Sequence, residues 1–462
     1  MSDNQRQTSS GRTFPLPAEV KPWGSKGMAD SLVARQNSQS PMFGPKLMEE
    51  VCERQNLQLA LKRVRQNRGA PGIDAMTVEQ LGQHLKENWP AIKKQLLEGS
   101  YQPKPVRRVR IPKPNGKEQR ELGIPCGVDR FIQQAVLQVL QRRWDQRFSD
   151  HSYGFRPGKR AHQAVTQAQS YLRQGNEWVV DIDLEKFFDR VNHDRLMSAL
   201  AKEIEDKRVL KLIRAYLNAG VMENGVVGPS DEGVPQGGPL SPLLSNIVLD
   251  EMDKELEARG HKFVRYADDC NIYVQSERAA RRVMRSVSDF IVRRLKLKVN
   301  EAKSAVARPQ DRKFLGFSFT AGKQPNRRKI APPSLERFKN RVRQITNRNH
   351  SKRFEKRVEE LSEYLRGWQG YFGFCETPNV LRDLDSWIRR RLRSVLWKQW
   401  KVFKRRRAEL IKRGVSQDLA HTTAWSSKGP WNVCHTPGVR LALPNRFFDS
   451  IRLPRLERGQ NI

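Results

Sequence analysis

Hydrophobic positions recur at helical spacing in the first part of the chain. Between 47 and 97 they fall three to four residues apart, and a turn-rich segment, NRGAPG, interrupts them at 67–72. This spacing predicts helices separated by a loop. Residues 101–125 instead alternate apolar and basic side chains around a Pro-Asn-Gly turn at 114–116. This alternation predicts a basic β-hairpin.

The middle of the chain, about 126–320, mixes helical and alternating patterns. Its order, strand–helix–strand–strand–helix–strand, predicts a ferredoxin-like α+β arrangement. An amphipathic helix, with apolar residues from 283 to 295 on one stripe, follows the central strand pair. The other predicted elements are a helix at 132–144 and strands at 178–182, 263–266, 270–274, 298–300 and 313–319.

Positive charge dominates the composition and is concentrated late in the chain. The 462 residues include 86 lysines and arginines against 50 aspartates and glutamates, a formal net charge of +36. Residues 321–420 alone hold 27 basic and 10 acidic residues within a helical pattern. Such a field favours a polyanionic partner, nucleic acid first and an anionic membrane second. A solvated basic face remains the better interpretation for any single arginine.

The cysteines and the apolar runs indicate the compartment. The five cysteines are scattered and never form a CxxC pair, which is typical of reduced thiols and argues against a zinc site. No apolar run approaches the ~20 residues of a membrane span, and the polar N-terminus does not resemble a secretory signal. We expect a cytoplasmic protein that contacts no membrane and associates with the nucleoid when bound to DNA.

Three carboxylates stand next to predicted strands. Asp183 directly follows one strand, and Asp268 and Asp269 lie in the turn between two others. Acids are common at turns, so the pair alone favours an ordinary solvated turn. The apolar strands around it instead favour a site for two divalent cations, which activate an attacking and a leaving oxygen. Hard oxygen ligands select Mg²⁺.

Several short motifs occur in the order found in reverse transcriptases. Together they resemble the reverse transcriptase/maturase encoded within bacterial group II introns, and the resemblance runs from about residue 48 to the end of the chain. The motifs are GAPGID at 69–74, RIPKPNG at 110–116, RELGIP at 120–125, SYGFRPG at 152–158, GVPQGGPLSP at 233–242, YADD at 266–269, NEAK at 300–303, FLGF at 314–317 and LRGWQGYF at 365–372.

This resemblance implies a right-hand polymerase of fingers, ferredoxin-like palm and helical thumb. It implies five regions along the chain. These are a disordered or loosely docked arm at 1–45, an N-terminal extension at 46–105, fingers and palm at 106–320, a thumb/maturase domain at 321–420, and a short basic DNA-binding-like tail at 421–462.

The family's catalytic roles transfer residue by residue. Asp183, Asp268 and Asp269 would be the catalytic carboxylates and would hold two Mg²⁺ ions. Arg107 (or its neighbour Arg108), Lys113 and Arg120 would face the triphosphate of the incoming nucleotide, unless the hairpin is merely solvated. Phe188 would be the steric gate against ribonucleotides, while Phe187 would belong to the core.

Further nucleotide and RNA contacts follow from the same resemblance. Gln236 matches the loop at the primer terminus, and Lys303 matches a lysine that neutralises pyrophosphate, although it reads equally well as a surface lysine. RNA contacts are expected at Arg156, Lys404, Arg405, Arg406 and Arg407.

The expected partners are the group II intron RNA, an RNA template with a DNA primer or target DNA, and deoxynucleotides. Because paired CxxC motifs are absent, the sequence resembles the branch of the family without the HNH endonuclease domain. Two alternatives remain open: a splicing cofactor whose polymerase is vestigial, and a reverse transcriptase domesticated for host repair or defence. The three intact carboxylates argue against the first, and intron RNA domains flanking the coding region would exclude the second.

Overall fold

The computed structural model describes residues 42–112, 119–223, 226–228 and 232–457. The arm predicted at 1–45 therefore lies outside the described residues except for its end. There Phe43 is fully buried, with its ring centroid 5.6 Å from that of Trp144. The turn predicted at 114–116 and the candidate residue Lys113 also lie outside the described residues.

Helices and short strands alternate in the described chain up to residue 330, and helices alone follow. The helices are α1 (Leu47–Val51), α2 (Arg54–Gln66), α3 (Leu81–Glu98), α4 (Gly127–Trp144), α5 (Ala161–Arg173), α6 (His193–Ala201), α7 (Lys207–Asn218), α8 (Ser241–Ala258), α9 (Glu277–Phe290), α10 (Pro332–Ile345), α11 (Phe354–Phe372), α12 (Pro378–Gln399), α13 (Phe403–Lys412), α14 (Gln417–Ala424), α15 (Pro430–Val433), α16 (Pro437–Ala442) and α17 (Asn445–Ser450). The strands are β1 (Val106–Pro112), β2 (Gln119–Ile124), β3 (Trp178–Ile182), β4 (Val221–Glu223), β5 (Val226–Gly228), β6 (Lys262–Tyr266), β7 (Asp269–Val274), β8 (Ala305–Ala307), β9 (Phe317–Phe319) and β10 (Arg328–Ile330).

The basic hairpin is present as predicted. In the antiparallel pairing of β1 with β2, Arg107 lies opposite Ile124 and Arg110 opposite Glu121. A second hairpin, β4 with β5, extends this sheet because β4 pairs in parallel with the start of β1. Its strands are three residues long, too short for a period-two pattern to be visible in the sequence.

The palm sheet has the order β6-β7-β3-β8, with every neighbouring pair antiparallel. This order and the connections between the strands confirm the ferredoxin-like prediction. The fourth strand was predicted in the wrong place. Residues 298–300 make only an isolated bridge between Val299 and Leu184, and β9 pairs with β10 instead. The strand that completes the sheet, β8, has only three residues and gives no alternating signal.

The C-terminal helices share one hydrophobic core. Phe338, Leu361 and Leu392 from α10, α11 and α12 belong to the same buried cluster as Val439 and Phe448 from α16 and α17. The boundary predicted at 420 therefore does not separate two cores, and the predicted tail is built into the helical region. None of the described helices combines the length and apolar character needed to cross a bilayer.

Candidate active site

Two neighbouring palm strands bring three carboxylates together. β3 and β7 pair with Ile182 opposite Cys270. Asp183 follows β3 directly and Asp269 opens β7, so the same register carries these two acids to one edge of the sheet, with Asp268 in the adjoining turn. All three line a cavity of about 1250 Å³. The structure thus unites the carboxylates that the sequence singles out.

The turn that carries Asp268 is tight. Because Tyr266 pairs with Asp269, only Ala267 and Asp268 form the turn. Ala267 adopts a φ of +58°, a strained region for a residue with a side chain. A Cβ atom on Gly154 would lie 2.2 Å from the backbone nitrogen of Ala267. The SYGFRPG segment therefore needs glycine here, because it packs directly against the turn.

A buried arginine ties this turn to helix α8. Arg265 has no exposed surface, and its Nε and Nη2 donate to the two carboxylate oxygens of Asp253 at 2.7 and 2.5 Å. Its Nη1 donates to the carbonyl oxygen of Ala267 at 2.9 Å and to Asn246 Oδ1 at 3.0 Å. A fully satisfied buried pair holds its surroundings rigidly. Arg265 therefore acts on the turn as a positioning residue.

The carboxylates at this edge repel one another. Although the Asp269 side chain opens into the cavity, desolvation by surrounding protein, followed by the charges of Asp268, Asp181 and Asp183, raises its pKa to about 6. Desolvation, with a contribution from Asp183, also raises the pKa of Asp268. For both residues the raised pKa means that the ionised carboxylate is disfavoured until a cation binds nearby.

A further acid near these three, Asp181 on β3, already has a cationic partner. Asp181 Oδ2 accepts hydrogen bonds from Arg312 Nη2 at 2.5 Å and Nε at 2.8 Å. No ion pair within the described residues involves Asp183, Asp268 or Asp269. The protein therefore compensates the neighbouring acid and leaves these three for a ligand.

Two of the predicted cations reach the cavity. Arg120 on β2 and Lys303 both line it. The turn that carries Lys303 is fixed beside the catalytic strand, because Asn300 N donates to Asp183 O at 2.8 Å and Asp183 N donates to Ser304 Oγ at 3.0 Å. Arg107 is not among the lining residues, because it lies at the opposite end of the hairpin from Arg120. Its assignment to the triphosphate is not supported.

The two phenylalanines after Asp183 occupy different environments. They lie on a 3₁₀ turn, Phe187–Asp189, beyond the strand predicted at 178–182. Phe187 is 2% exposed, whereas Phe188 is half-buried, and both border the cavity. Their rings meet edge to face at 5.2 Å. The carbonyl of Phe188 accepts a hydrogen bond from Val234 N at 2.6 Å, which joins the turn to the GVPQGG loop.

That loop also contacts the fingers. Gly123 N at the end of β2 donates to Gln236 O at 2.7 Å, and Gln236 lines the cavity. Gly237 has a φ of +124°, and a Cβ atom there would lie 2.6 Å from Gly123 O. Glycine is therefore required at 237 both by its backbone angle and by the approaching strand.

The predicted RNA-contacting residues lie in different environments. Arg156 is buried, and its guanidinium donates to Asp145 Oδ1, Asp145 O, Ser149 O and Ser152 O. Because four of its five N–H groups are used within the protein, the structure does not support its assignment to RNA binding. Its role is to close the 145–156 loop.

The predicted basic run divides between two environments. Lys404 and Arg405 are exposed on α13, whereas Arg406 and Arg407 are half-buried. Of the four, only Arg406 lines a cavity.

The structure also places residues at the cavity of the three carboxylates that sequence reasoning missed. Arg130 on α4 lines it, is only 7% exposed, and has no partner within the described residues for Nε or Nη2. Phe155 lines it with 47% of its surface exposed and a φ of +59°. An apolar residue in the middle of SYGFRPG was the one available signal. Arg130 gave none, because burial cannot be seen in a basic helix.

The carboxylates fit a hard divalent cation by their chemistry. Within the described residues, no three His, Cys, Asp or Glu side chains already converge as a ready-made metal site. The three acids nonetheless supply only oxygen donors and face one cavity, and desolvation together with the neighbouring carboxylates raises the pKa values of Asp268 and Asp269. Oxygen donors of this kind suit Mg²⁺, which keeps water and phosphate oxygens in its shell.

A ferredoxin-like sheet with carboxylates at one edge, ringed by cations, defines the palm of a nucleotidyl-transferring polymerase. The family model "Reverse transcriptase (RNA-dependent DNA polymerase)" matches residues 111–319. The model "Group II intron, maturase-specific domain" matches residues 335–414. The chain therefore combines a reverse transcriptase domain with a group II intron maturase-specific domain.

Relatives in three organisms are similar to parts of the chain. Protein YkfC of Escherichia coli is 42% identical over 193 residues, which cover 41% of this chain and 50% of YkfC. The group II intron-encoded protein LtrA of Lactococcus lactis is 41% identical over 159 residues, 34% of this chain and 26% of LtrA. Nuclear intron maturase 2 of Arabidopsis thaliana is 28% identical over 30% of this chain and 24% of its own length. The chain thus spans half or less of each of these relatives.

Proposed function

We propose that the chain is an RNA-directed DNA polymerase that also binds its group II intron RNA. It would assist splicing and support intron mobility by target-primed reverse transcription. The observation that carries the proposal is the set of three carboxylates, without a cationic partner among the described residues, in one cavity with Arg120 and Lys303. The two matched family models support reverse transcription as the reaction of this site and intron RNA as a partner.

In this proposal Asp183, Asp268 and Asp269 hold two Mg²⁺ ions. When bound, the ions supply activation of the primer 3′-oxygen and neutralise charge on the leaving pyrophosphate. Arg120 and Lys303 approach the triphosphate and offset the charge that develops on it. Arg265 keeps the Asp268 turn in place through Ala267. The chain's own contribution is thus mainly positioning and electrostatics.

Selection of deoxynucleotides is assigned to Phe188. Its ring borders the cavity and is half-buried, whereas Phe187 is packed in the core. A ring beneath the sugar would collide with a 2′-hydroxyl. Gln236 lies on the same cavity, where its loop approaches the primer end. Lys113 remains a predicted triphosphate contact, by resemblance alone.

The partners follow from the same proposal. They are an RNA template paired with a DNA primer or target DNA, deoxynucleotides, and the intron RNA, which the helical region after 320 would grip. Lys404, Arg405, Arg406 and Arg407 contribute to that grip. The domain limits given by the resemblance, apart from the one at 420, serve as the working division. A cytoplasmic location with nucleoid association is part of the proposal.

Primer extension tests the polymerase directly. Purified protein with an RNA template, a DNA primer and Mg²⁺ as the only divalent cation should synthesise DNA. The variant with Asp268→Asn and Asp269→Asn should synthesise none, because the cation site loses its charge. Extension by this variant at a measurable rate would contradict the assignment of these carboxylates.

A further inference from the structure

A second concentration of uncompensated charge lies far along the chain from the carboxylates. A cavity of about 530 Å³ opens among the C-terminal helices. Three segments contribute to it: the loop after α10, the end of α12 with the start of α13, and the start of α15. Its lining residues are Arg348, Asn349, Lys398, Lys401, Arg406 and Pro430.

No acidic residue lines this cavity among the described parts of the chain. Within the same residues, none of its four cations forms an ion pair. Lys398 donates to Asn349 Oδ1 at 2.7 Å and Arg348 donates to Ser394 Oγ at 3.0 Å, so both are oriented by neutral partners. Four positive charges around one opening raise the free energy of the empty state, and an anion relieves it.

Some cations elsewhere in the same helical region have acidic partners. Arg341 pairs with Glu360 at 3.2 Å, and Arg382 pairs with Glu457 at 2.7 Å. Arg413, at the C-terminal end of α13, pairs with Glu409 one turn earlier in the same helix. The region therefore has acids available and places none of the described ones at the cavity.

Arg406 is fixed in its orientation toward the cavity. Its guanidinium lies 4.9 Å from the ring centroid of Trp397, which is 1% exposed. Its Nε is buried and has no hydrogen-bond partner within the described residues. A planar guanidinium held against an aromatic ring is suited to phosphate oxygens.

An exposed aromatic ring packs against α13, the helix that carries the cavity residue Arg406. Trp425 is 73% exposed, which is exceptional for so large an apolar side chain. Its ring meets Phe403 edge to face at 5.4 Å, and Phe403 is two residues from Lys401. Along the chain, Trp425 also lies five residues before Pro430. Cations that track a backbone, near an exposed aromatic ring, characterise sites for single-stranded nucleic acid.

We propose that this cavity binds the phosphodiester backbone of a single-stranded RNA segment and that Trp425 stacks on one of its bases. The proposal rests on the proposed function, which makes RNA the polyanion, and it adds a specific site within the helical region. A phosphate group is the chemistry shared by an RNA strand and by free phosphate, so the test separates the two. Pro430 and Trp425 lie beyond the matched maturase segment, which ends at 414.

Two triple variants with the same reduction in charge test the cavity. The cavity variant carries Arg348→Gln, Lys398→Gln and Lys401→Gln. The control variant carries Arg366→Gln, Lys356→Gln and Lys412→Gln, which are exposed, lie outside the cavity, and form no ion pair within the described residues. Each variant thus replaces one arginine and two lysines, so the overall field changes equally.

Fluorescence anisotropy with a short labelled single-stranded RNA gives affinity as a function of salt. In the cavity variant the slope of log affinity against log salt should become shallower by about 2, roughly 0.7 for each phosphate that is no longer neutralised. The control variant should keep the wild-type slope. Equal slopes for the two variants would overturn the proposal, as would displacement of the RNA by inorganic phosphate at constant ionic strength.

The proposed stacking of Trp425 on a base is tested with a separate control variant. Trp425→Ala should weaken RNA binding on the order of ten- to a hundredfold, the usual effect of removing one base stack. Leu441→Ala removes another exposed apolar side chain, at 58% exposure, and should leave affinity unchanged. Wild-type affinity in the Trp425 variant would remove the stacking assignment.

Primer extension at saturating template and primer separates this inference from the proposed function. The wild-type protein and both triple variants should extend primers at the same rate. If wild type neither extends primers nor binds RNA, the proposed function fails. If wild type does both and the cavity and control variants bind RNA alike, only the inference fails.

Discussion

The palm edge and the C-terminal cavity are electrostatic opposites. At the palm edge three carboxylates share a cavity, and none has an ion pair within the described residues. At the C-terminal cavity four cations converge without a carboxylate from the described part of the chain. Asp181 beside the palm acids pairs with Arg312, and Arg341 in the helical region pairs with Glu360. The comparison teaches that each region gathers charge of one sign, without ion-pair partners, around a cavity that a ligand of opposite charge would complete.

The regions also differ in how rigidly the charges are held. The palm acids stand on a strand end and on a two-residue turn fixed by buried Arg265. The cations of the second cavity are mostly exposed side chains on loops and helix ends. Catalysis needs reacting atoms fixed to a fraction of an ångström, whereas a phosphate grip tolerates adjustment.

The largest effect is expected when the support of the palm acids is removed. Arg265→Met leaves Asp253 charged and buried, which should cost about 3–5 kcal/mol of unfolding free energy. Adding Asp253→Leu should restore much of that stability, because no unpaired charge remains. Primer extension should stay low in the double variant, since Ala267 O still lacks its donor. Urea unfolding and single-turnover extension check this prediction, and recovery of both together would reduce Arg265 to a purely structural role.

The two phenylalanines offer a sharper contrast within the palm. Phe187→Ala should cost about 3–5 kcal/mol, because it leaves a void in the core. Phe188→Val should cost far less and should raise incorporation of ribonucleotides relative to deoxynucleotides. Thermal melting and single-nucleotide extension check both variants. A shift in sugar selectivity confined to the Phe187 variant would exchange their roles.

A smaller effect is expected from cations and pH on the unliganded palm. The folded-state pKa of Asp269 is raised to about 6. The folded protein therefore binds more protons than the unfolded chain between the usual Asp value and 6, and stability falls as pH rises through that window. Two pKa units correspond to about 3 kcal/mol, which screening at this open site reduces to about 1.

Addition of Mg²⁺ at pH 7.5 should therefore raise the melting temperature, and it should do so less at pH 5. Scanning fluorimetry in chelator-treated buffer measures the difference. Asp269→Asn provides the matched control, because it should be more stable than wild type at pH 7.5 without Mg²⁺ and should respond less to it. An equal response to Mg²⁺ at both pH values would contradict the electrostatic origin of the shift.

The smallest effect is expected on the exposed basic run. Neutralising Lys404, Arg405, Arg406 and Arg407 should lower the salt slope of RNA binding by roughly 0.7–0.9 for each phosphate that these side chains neutralise in the wild-type complex. Only Arg406 lines the cavity, so most of the change should reappear in Arg406→Gln alone. A quadruple variant with the wild-type slope would show that these residues form a solvated face.

The sequence predicted most of the palm because its strands are long enough to alternate visibly. Residues 262–274 carry a clear apolar pattern on both sides of Asp268 and Asp269, so the hairpin and the carboxylates were predicted together. The three-residue strands β4, β5 and β8 were missed, since three positions cannot define a period. The 3₁₀ turn that carries Phe187 and Phe188 was also not predicted, because such a turn has no comparable signature in the sequence.

The binding residues were harder to predict than the catalytic acids, and the reason is physical. The sequence alone does not distinguish the roles of Arg156 and Arg130. The Arg156 guanidinium donates hydrogen bonds to the 145–152 loop, whereas Arg130 lines the cavity of the three carboxylates. Arg348, Lys398 and Lys401 are separated by up to 53 positions along the chain, and only helix packing joins them. Which cations lack an acidic partner is decided by tertiary structure.

Four proteins test most directly whether the two charged regions function independently. They are wild type, the variant with Asp268→Asn and Asp269→Asn, the cavity triple variant, and the combination of both variants. Primer extension at saturating template and anisotropy with single-stranded RNA are recorded on each preparation. We predict that the palm variant loses extension and keeps RNA affinity, that the cavity variant does the reverse, and that the combination loses both. Loss of both activities in either parent variant, with folding intact, would contradict two independent sites of opposite charge.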